Sequence, residues 1–247
     1  ANGGSDPDPT SKSVTFGESY GALATTSRTG YAFAGWFTAK TGGDKVTETT
    51  AVSNTADHTL YAHWTANSYT VTFNANGGTA PSPATKPVTF GSAYGALAAT
   101  SRTGYAFAGW FTAETGGTEV TAATIVSNTA DHTLYAHWTA NSYTVTFDAN
   151  GGTAPSPATK PVTFGSAYGA LATTSRTGYA FAGWFTAASG GTEVTAATIV
   201  SNTADHTLYA HWTANSYTVT FNANGGTAPS PATKPVTFGS AYGALAT

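Results

Sequence analysis

The 247-residue chain has no cysteine and no methionine, and only 9% of its residues are charged. Without thiols it can form no disulfide, thiolate metal site, iron–sulfur cluster or cysteine nucleophile, although that absence identifies no compartment. A formal net charge of −3 excludes long-range attraction to nucleic acid or to an anionic membrane. Apolar runs are a handful of residues long, far below the ~20 needed to cross a bilayer, so membrane insertion is not expected. Ala1-Asn2-Gly3-Gly4 carries no export signal and reads as an interior cut from a longer chain. What fills the composition instead is glycine (28), proline (11) and aromatics (6 Trp, 13 Tyr, 13 Phe), set among Thr, Ala and Ser.

The chain repeats itself. Trp36, Trp110 and Trp184 are 74 residues apart, and so are Trp64, Trp138 and Trp212. Residues 67–140 and 141–214 differ at four positions: Asn74/Asp148, Ala99/Thr173, Glu114/Ala188 and Thr115/Ser189. The first copy departs more, mainly at Ser5–Glu18 and Lys40–Val52. Copies this alike share one fold and one local chemistry. The polar Thr65-Ala66-Asn67-Ser68 and its equivalents mark the breaks, which gives modules 1–66, 67–140, 141–214 and 215–247. The first lacks its opening strand and the last is the N-terminal part of a further module. A swap in which the tail of one chain completes the head of another fits less well, because 223–247 duplicates 1–25.

Within a module the hydrophobic period is two. Tyr69, Val71 and Phe73 alternate with threonine and predict a strand with one buried face. Asn76-Gly77-Gly78 supplies a turn tolerant of positive φ. Pro81, Pro83 and Pro87 keep the next stretch extended, and Val88-Thr89-Phe90 is a short second strand. Residues 105–112 form a third, Glu119–Val126 a fourth, and the alternation of Leu134, Ala136 and Trp138 a last one. The one helical element expected is short, at Tyr94–Thr100 or Ser127–Asp131. The core is expected from Tyr69, Val71, Phe73, Val88, Phe90, Tyr94, Leu97, Phe107, Trp110, Val120, Ile125, Leu134 and Trp138. A lone module of this size buries only ~60–65% of its chain surface, which large aromatics offset. Four-residue linkers predict stacked, semi-rigid beads forming a rod of very roughly 90 Å for three modules.

Three segments in fixed order carry a resemblance: Tyr69–Gly78, Gly104–Thr112 and Thr133–Trp138. Together they resemble the Listeria–Bacteroides repeat, a module related to the B-repeat of internalin-type surface proteins, over essentially the whole chain. The resemblance implies a β-rich α+β fold of tandem β-grasp-like (ubiquitin-like) modules. It also implies a bacterial extracellular or cell-surface protein concerned with spacing and adhesion. Neither a leucine-rich domain nor a wall anchor stands in these residues.

Chemistry-bearing residues are sparse. His132 and His137, with His58, His63, His206 and His211 in the other copies, point to opposite faces of an extended chain. They read as partly exposed strand histidines, not as a zinc site, which needs three or four converging ligands. Glu114, Glu119 and Asp131 are the carboxylates of the second copy, and Glu114 is Ala188 in the next, so no paired-carboxylate hydrolase is expected. The Asp148–Asn150 turn holds one carboxylate and no bidentate glutamate, too little for calcium. No nucleophile elbow or phosphate-binding loop is present. Lys86, Lys160 and Lys234 recur before proline and read as solvated lysines, with a Lys–Asn isopeptide crosslink as the alternative. No Asn-x-Ser/Thr sequon occurs, which leaves only O-glycosylation open.

The expectation is therefore a non-catalytic structural array without cofactor, a stalk, spacer or filament-forming segment. Its partners are neighbouring modules, identical chains in a filament, or a surface glycan or protein. The alternative is an adhesin array that binds weakly and multivalently. Tyr61, Tyr135 and Tyr209, with Arg28, Arg102 and Arg176 as spatial neighbours, are the candidate ligand contacts.

Overall fold

The computed structural model describes all 247 residues and is all-β, with no helical residue. Its strands are β1 (Tyr31–Phe37), β2 (Lys45–Val46), β3 (Tyr61–Ala66), β4 (Ser68–Asn74), β5 (Thr85–Thr89), β6 (Tyr105–Phe111), β7 (Glu119–Val120) and β8 (His132–Ala140). They continue as β9 (Ser142–Asp148), β10 (Thr159–Thr163), β11 (Tyr179–Phe185), β12 (Glu193–Val194), β13 (His206–Ala214), β14 (Ser216–Thr220) and β15 (Thr233–Thr237). Two compact units result, residues 1–102 with 107–138, and residues 103–106 with 139–247.

The first unit holds a three-stranded sheet, β2-β1-β3, and all but the extreme residues of a five-stranded one, β5-β4-β8-β6-β7. In the latter β4 and β8 run parallel, Val71 opposite His132 and Phe73 opposite Leu134, while β5 is antiparallel to β4. Alternation sends Val71 and Phe73 inward, where they are 0% and 4% exposed. Val88, Tyr94, Trp110, Val120, Val126, Leu134 and Ala136 close over them. Pro87 lies in β5, an outer strand that can spare an amide. One residue, Asn67, separates β3 from β4. Its amide donates to Gly30 O (2.9 Å) and its carbonyl accepts the Phe90 amide (2.9 Å).

The second unit repeats the five-stranded arrangement as β10-β9-β13-β11-β12 and ends in a two-stranded hairpin, β14-β15. Its core, from Val145 and Phe147 to Leu208 and Ala210, matches the first position for position.

Four expectations are corrected. The α+β class becomes all-β: Tyr94–Thr100 and Ser127–Asp131 are extended or bent. The amides of Gly91, Tyr94 and Gly95 donate across to Val126, Thr124 and Ala122 carbonyls, each at 2.9 Å, and not four residues back. Gly91 and Gly95 sit at φ 76° and 67°, outside any right-handed helix. The fourth strand shrinks to Glu119–Val120, because Thr121–Thr124 closes a turn through Thr124 N to Thr121 O (3.1 Å). Ile125 is 55% exposed, and its neighbour Val126 takes the inward place at 1%. Phe107, 43% exposed, also leaves the core. Its equivalents Phe33 and Phe181 immediately precede bulges that run to Gly35 and Gly183. A bulge re-aims the side chains around it.

Candidate functional site

Each repeat concentrates its chemistry in three places. The first is a Tyr–His pair across the sheet. In the first unit the Tyr94 hydroxyl, on a side chain 4% exposed, lies in hydrogen-bond contact with His132 Nε2 at 2.7 Å and Asn128 Oδ1 at 3.3 Å. His132 Nδ1 donates to Ala130 O at 3.1 Å. Burial pushes the Tyr94 hydroxyl above its ordinary 10.0, and Tyr168 beside His206 behaves likewise.

The second is a stacked pair. His137 lies flat on Phe111, ring centres 4.0 Å apart at 9°, and donates from Nε2 to Ala113 O at 3.0 Å. Both histidines of a repeat are thus held by carbonyls and rings, and no group of three His, Asp or Glu side chains is placed to hold a metal ion.

The third is an aromatic corner at the surface. Phe33 meets Trp64 edge-on at 5.4 Å, and the indole N–H of Trp64 donates to Ala1 O at 3.2 Å. The Asn2–Gly4 turn rests on that indole, because a Cβ at Gly4 would lie 2.4 Å from Trp64 Cζ2. The Arg28 guanidinium covers the Tyr31 ring at 3.9 Å and borders Gly3. The same corner recurs around Phe107 and Trp138, with Arg102 beside Gly77, and around Phe181, Trp212 and Arg176. By contrast Trp36, Trp110 and Trp184 are core residues, 5%, 2% and 2% exposed, as the alternation predicts.

Of the candidate contacts, the arginines belong to this corner and the tyrosines do not. Tyr61 pairs with Phe37 at one end of the β1–β3 ladder, while Tyr31, under Arg28, pairs with Ala66 at the other. Tyr209 and Tyr179 are separated in the same way in the second unit. Tyr135 is half-buried opposite Asn74. The corner phenylalanines escape sequence reasoning because Phe-Ala-Gly-Trp-Phe reads as plain alternation; glycine after the small residue is the one sign of a bulge.

The lysines are not merely solvated. Lys86 Nζ donates to Tyr94 O (2.5 Å) and Ala96 O (2.6 Å), and so ties β5 to the crossover that follows.

The description of the Listeria-Bacteroides repeat domain matches residues 1–63, 69–137, 143–211 and 217–247, nearly the whole chain. The chain belongs to this repeat family. It is 41% identical over 138 residues to Internalin H of Listeria monocytogenes, a match covering 55% of this chain and 24% of that protein. It is 32% identical over 211 residues to the Evansella cellulosilytica protein named "Putative Gly-rich membrane protein", covering 81% of this chain and 24% of the relative. The chain thus spans about a quarter of the length of the curated relatives it matches.

Proposed function

We propose that the chain is a non-catalytic repeat segment of a bacterial surface protein and serves as a stalk or spacer. The units of that stalk are modules 1–66, 67–140, 141–214 and 215–247. One observation carries the reading: the groups able to do chemistry are engaged in holding the fold. The histidines, the core tyrosines, Lys86 with its equivalents Lys12, Lys160 and Lys234, and the indole N–H groups each bond a carbonyl or a ring in copy after copy. A grasp without its helix, in which an extended crossover replaces it, is the module architecture this reading uses. The names Internalin H and membrane protein among the relatives support a surface location. Small-angle scattering tests the role. A spacer gives a particle whose maximum dimension grows by a constant step for each module added, and a compact globule excludes it.

A second reading has its own observation. The exposed Phe33, Phe107 and Phe181, each beside a half-buried tryptophan and near an arginine, repeat an aromatic corner of the kind that stacks on sugars. An adhesin array would show glycan-array signal that rises with module number and falls when the three phenylalanines are changed to serine. No signal at millimolar glycan excludes it.

A further inference from the structure

All arginines of the chain, Arg28, Arg102 and Arg176, stand at one place in the repeat, at the head of Arg-Thr-Gly-Tyr. Local geometry sets the side chain there. In the second unit Tyr179 N donates to Arg176 O at 3.0 Å and closes a turn, with Gly178 at φ 82°. That turn lays the guanidinium over the Tyr179 ring, 4.0 Å from its centre. The ring is itself held edge-on by Phe238 at 5.5 Å. On the other flank a Cβ at Gly151 would lie 3.4 Å from Arg176 Cζ.

An arginine so placed has donors to spare. Stacking engages the face of the guanidinium and none of its N–H groups. Neither Arg176 nor Arg28, which covers Tyr31 at 3.9 Å, donates to a protein acceptor or pairs with a carboxylate. Asp148, at the start of the neighbouring turn, accepts the Asn150 amide at 2.8 Å instead. A guanidinium with its plane fixed and its donor edge unspent is preorganised for a carboxylate, which it takes through two parallel bonds.

Register places the aromatic corner next to it. Tyr179 and Phe181 lie on one face of β11, about 7 Å apart, opposite Ala214 and Trp212 of β13. A strip of Arg176, Tyr179, Phe181 and Trp212 results, and its apolar end is open, with Phe181 43% exposed. The first unit builds the same strip from Arg28, Tyr31, Phe33 and Trp64. We propose that each strip is a subsite for an acidic polysaccharide, the arginine taking the carboxylate of a uronic acid and the phenylalanine an apolar ring face. This rests on the adhesin reading above and adds selection by charge. Neutral sugars leave the guanidinium unbonded, and acidic peptides leave the phenylalanine without a sugar ring. At a net charge of −3 no long-range field gathers the polymer. Binding is therefore short-range and gains strength from repetition of the subsite.

The test measures binding of the whole 247-residue chain to immobilised alginate and polygalacturonate, each against its carboxyl-reduced form. At least one acidic polymer should bind about tenfold more tightly than its reduced form, the worth of one charge-assisted hydrogen bond. Changing all three arginines to lysine keeps the charge but removes the planar fork, and should erase that preference. Urea midpoints of this variant separate a lost contact from a lost fold. In the unaltered chain alginate should slow modification of the three arginines by phenylglyoxal, read by peptide mass spectrometry. Equal binding of the acidic and reduced forms, lost when Phe33, Phe107 and Phe181 become serine, overturns the charge selection and leaves the adhesin reading standing. No binding of either form at millimolar sugar overturns both. A preference that survives in the lysine variant, or poly-glutamate bound as tightly as the acidic sugars, overturns the proposal.

Discussion

A buried phenol has a calculable pH signature. Because burial raises the Tyr94 and Tyr168 hydroxyls above 10.0, the native chain keeps these protons to higher pH than the unfolded chain does. Their contribution is complete below pH 10 and is lost as pH rises through the raised native values. Changing both residues to phenylalanine should cost about 1 kcal/mol per site at neutral pH, the worth of one hydrogen bond. It should also flatten the alkaline decline; urea midpoints from neutral to alkaline pH measure both effects. Gly30 makes a second prediction. It sits at φ +78°, and a Cβ there would lie 2.3 Å from the Phe90 ring. Gly30→Ala therefore pushes Phe90 off its seat and away from Tyr31, 5.6 Å between ring centres. It should destabilise the first unit by ~1–3 kcal/mol, read from thermal unfolding. Such residues are only half-legible beforehand. The alternation of Val71 and Phe73 announces its burial, whereas the Tyr94–His132 bond joins residues 38 apart and leaves no local pattern.

Among the elements, position in a sheet sets stability. Strands β8 and β13 are paired on both sides, whereas β3 has one neighbour and β14 only β15. Amides of β8 and β13 should exchange slowest, and those of β3 and β14 at least about tenfold faster; hydrogen exchange read by mass spectrometry decides this. Lys86→Met tests the tie between β5 and its crossover. Removing Nζ leaves the Tyr94 and Ala96 carbonyls without this donor and should cost ~1–3 kcal/mol, and the same change at Lys160 should match it. Turns and strands were readable from Asn-Gly-Gly and from the period of two. The crossover was not: its composition suits a short helix, and only cross-chain bonds from Gly91, Tyr94 and Gly95 hold it extended. The surface position of Phe107 was equally hidden, since a bulge changes facing without changing composition.

For the whole molecule, near-identity of the copies has a thermodynamic expression. The four differences between 67–140 and 141–214 lie outside the buried cores. The two five-stranded sheets should therefore unfold at indistinguishable urea concentrations. The three-stranded sheet, with Tyr20, Val46 and Val52 as its buried cluster, should melt first and make the transition biphasic by tryptophan fluorescence. Repetition also sets how the molecule ages. Asn2, Asn76, Asn150 and Asn224 all sit at positive φ directly before glycine. There the following amide nitrogen can attack the side-chain carbonyl, expel ammonia and close a succinimide, which water opens to aspartate or isoaspartate. Asn150 resists this through its Nδ2 bonds to Ala188 O (2.9 Å) and Ala210 O (3.0 Å). The side-chain amide of Asn224, in the terminal hairpin, is anchored by neither bond. In a stored sample the last turn should acquire its extra negative charge first, and peptide mapping would date a preparation by it.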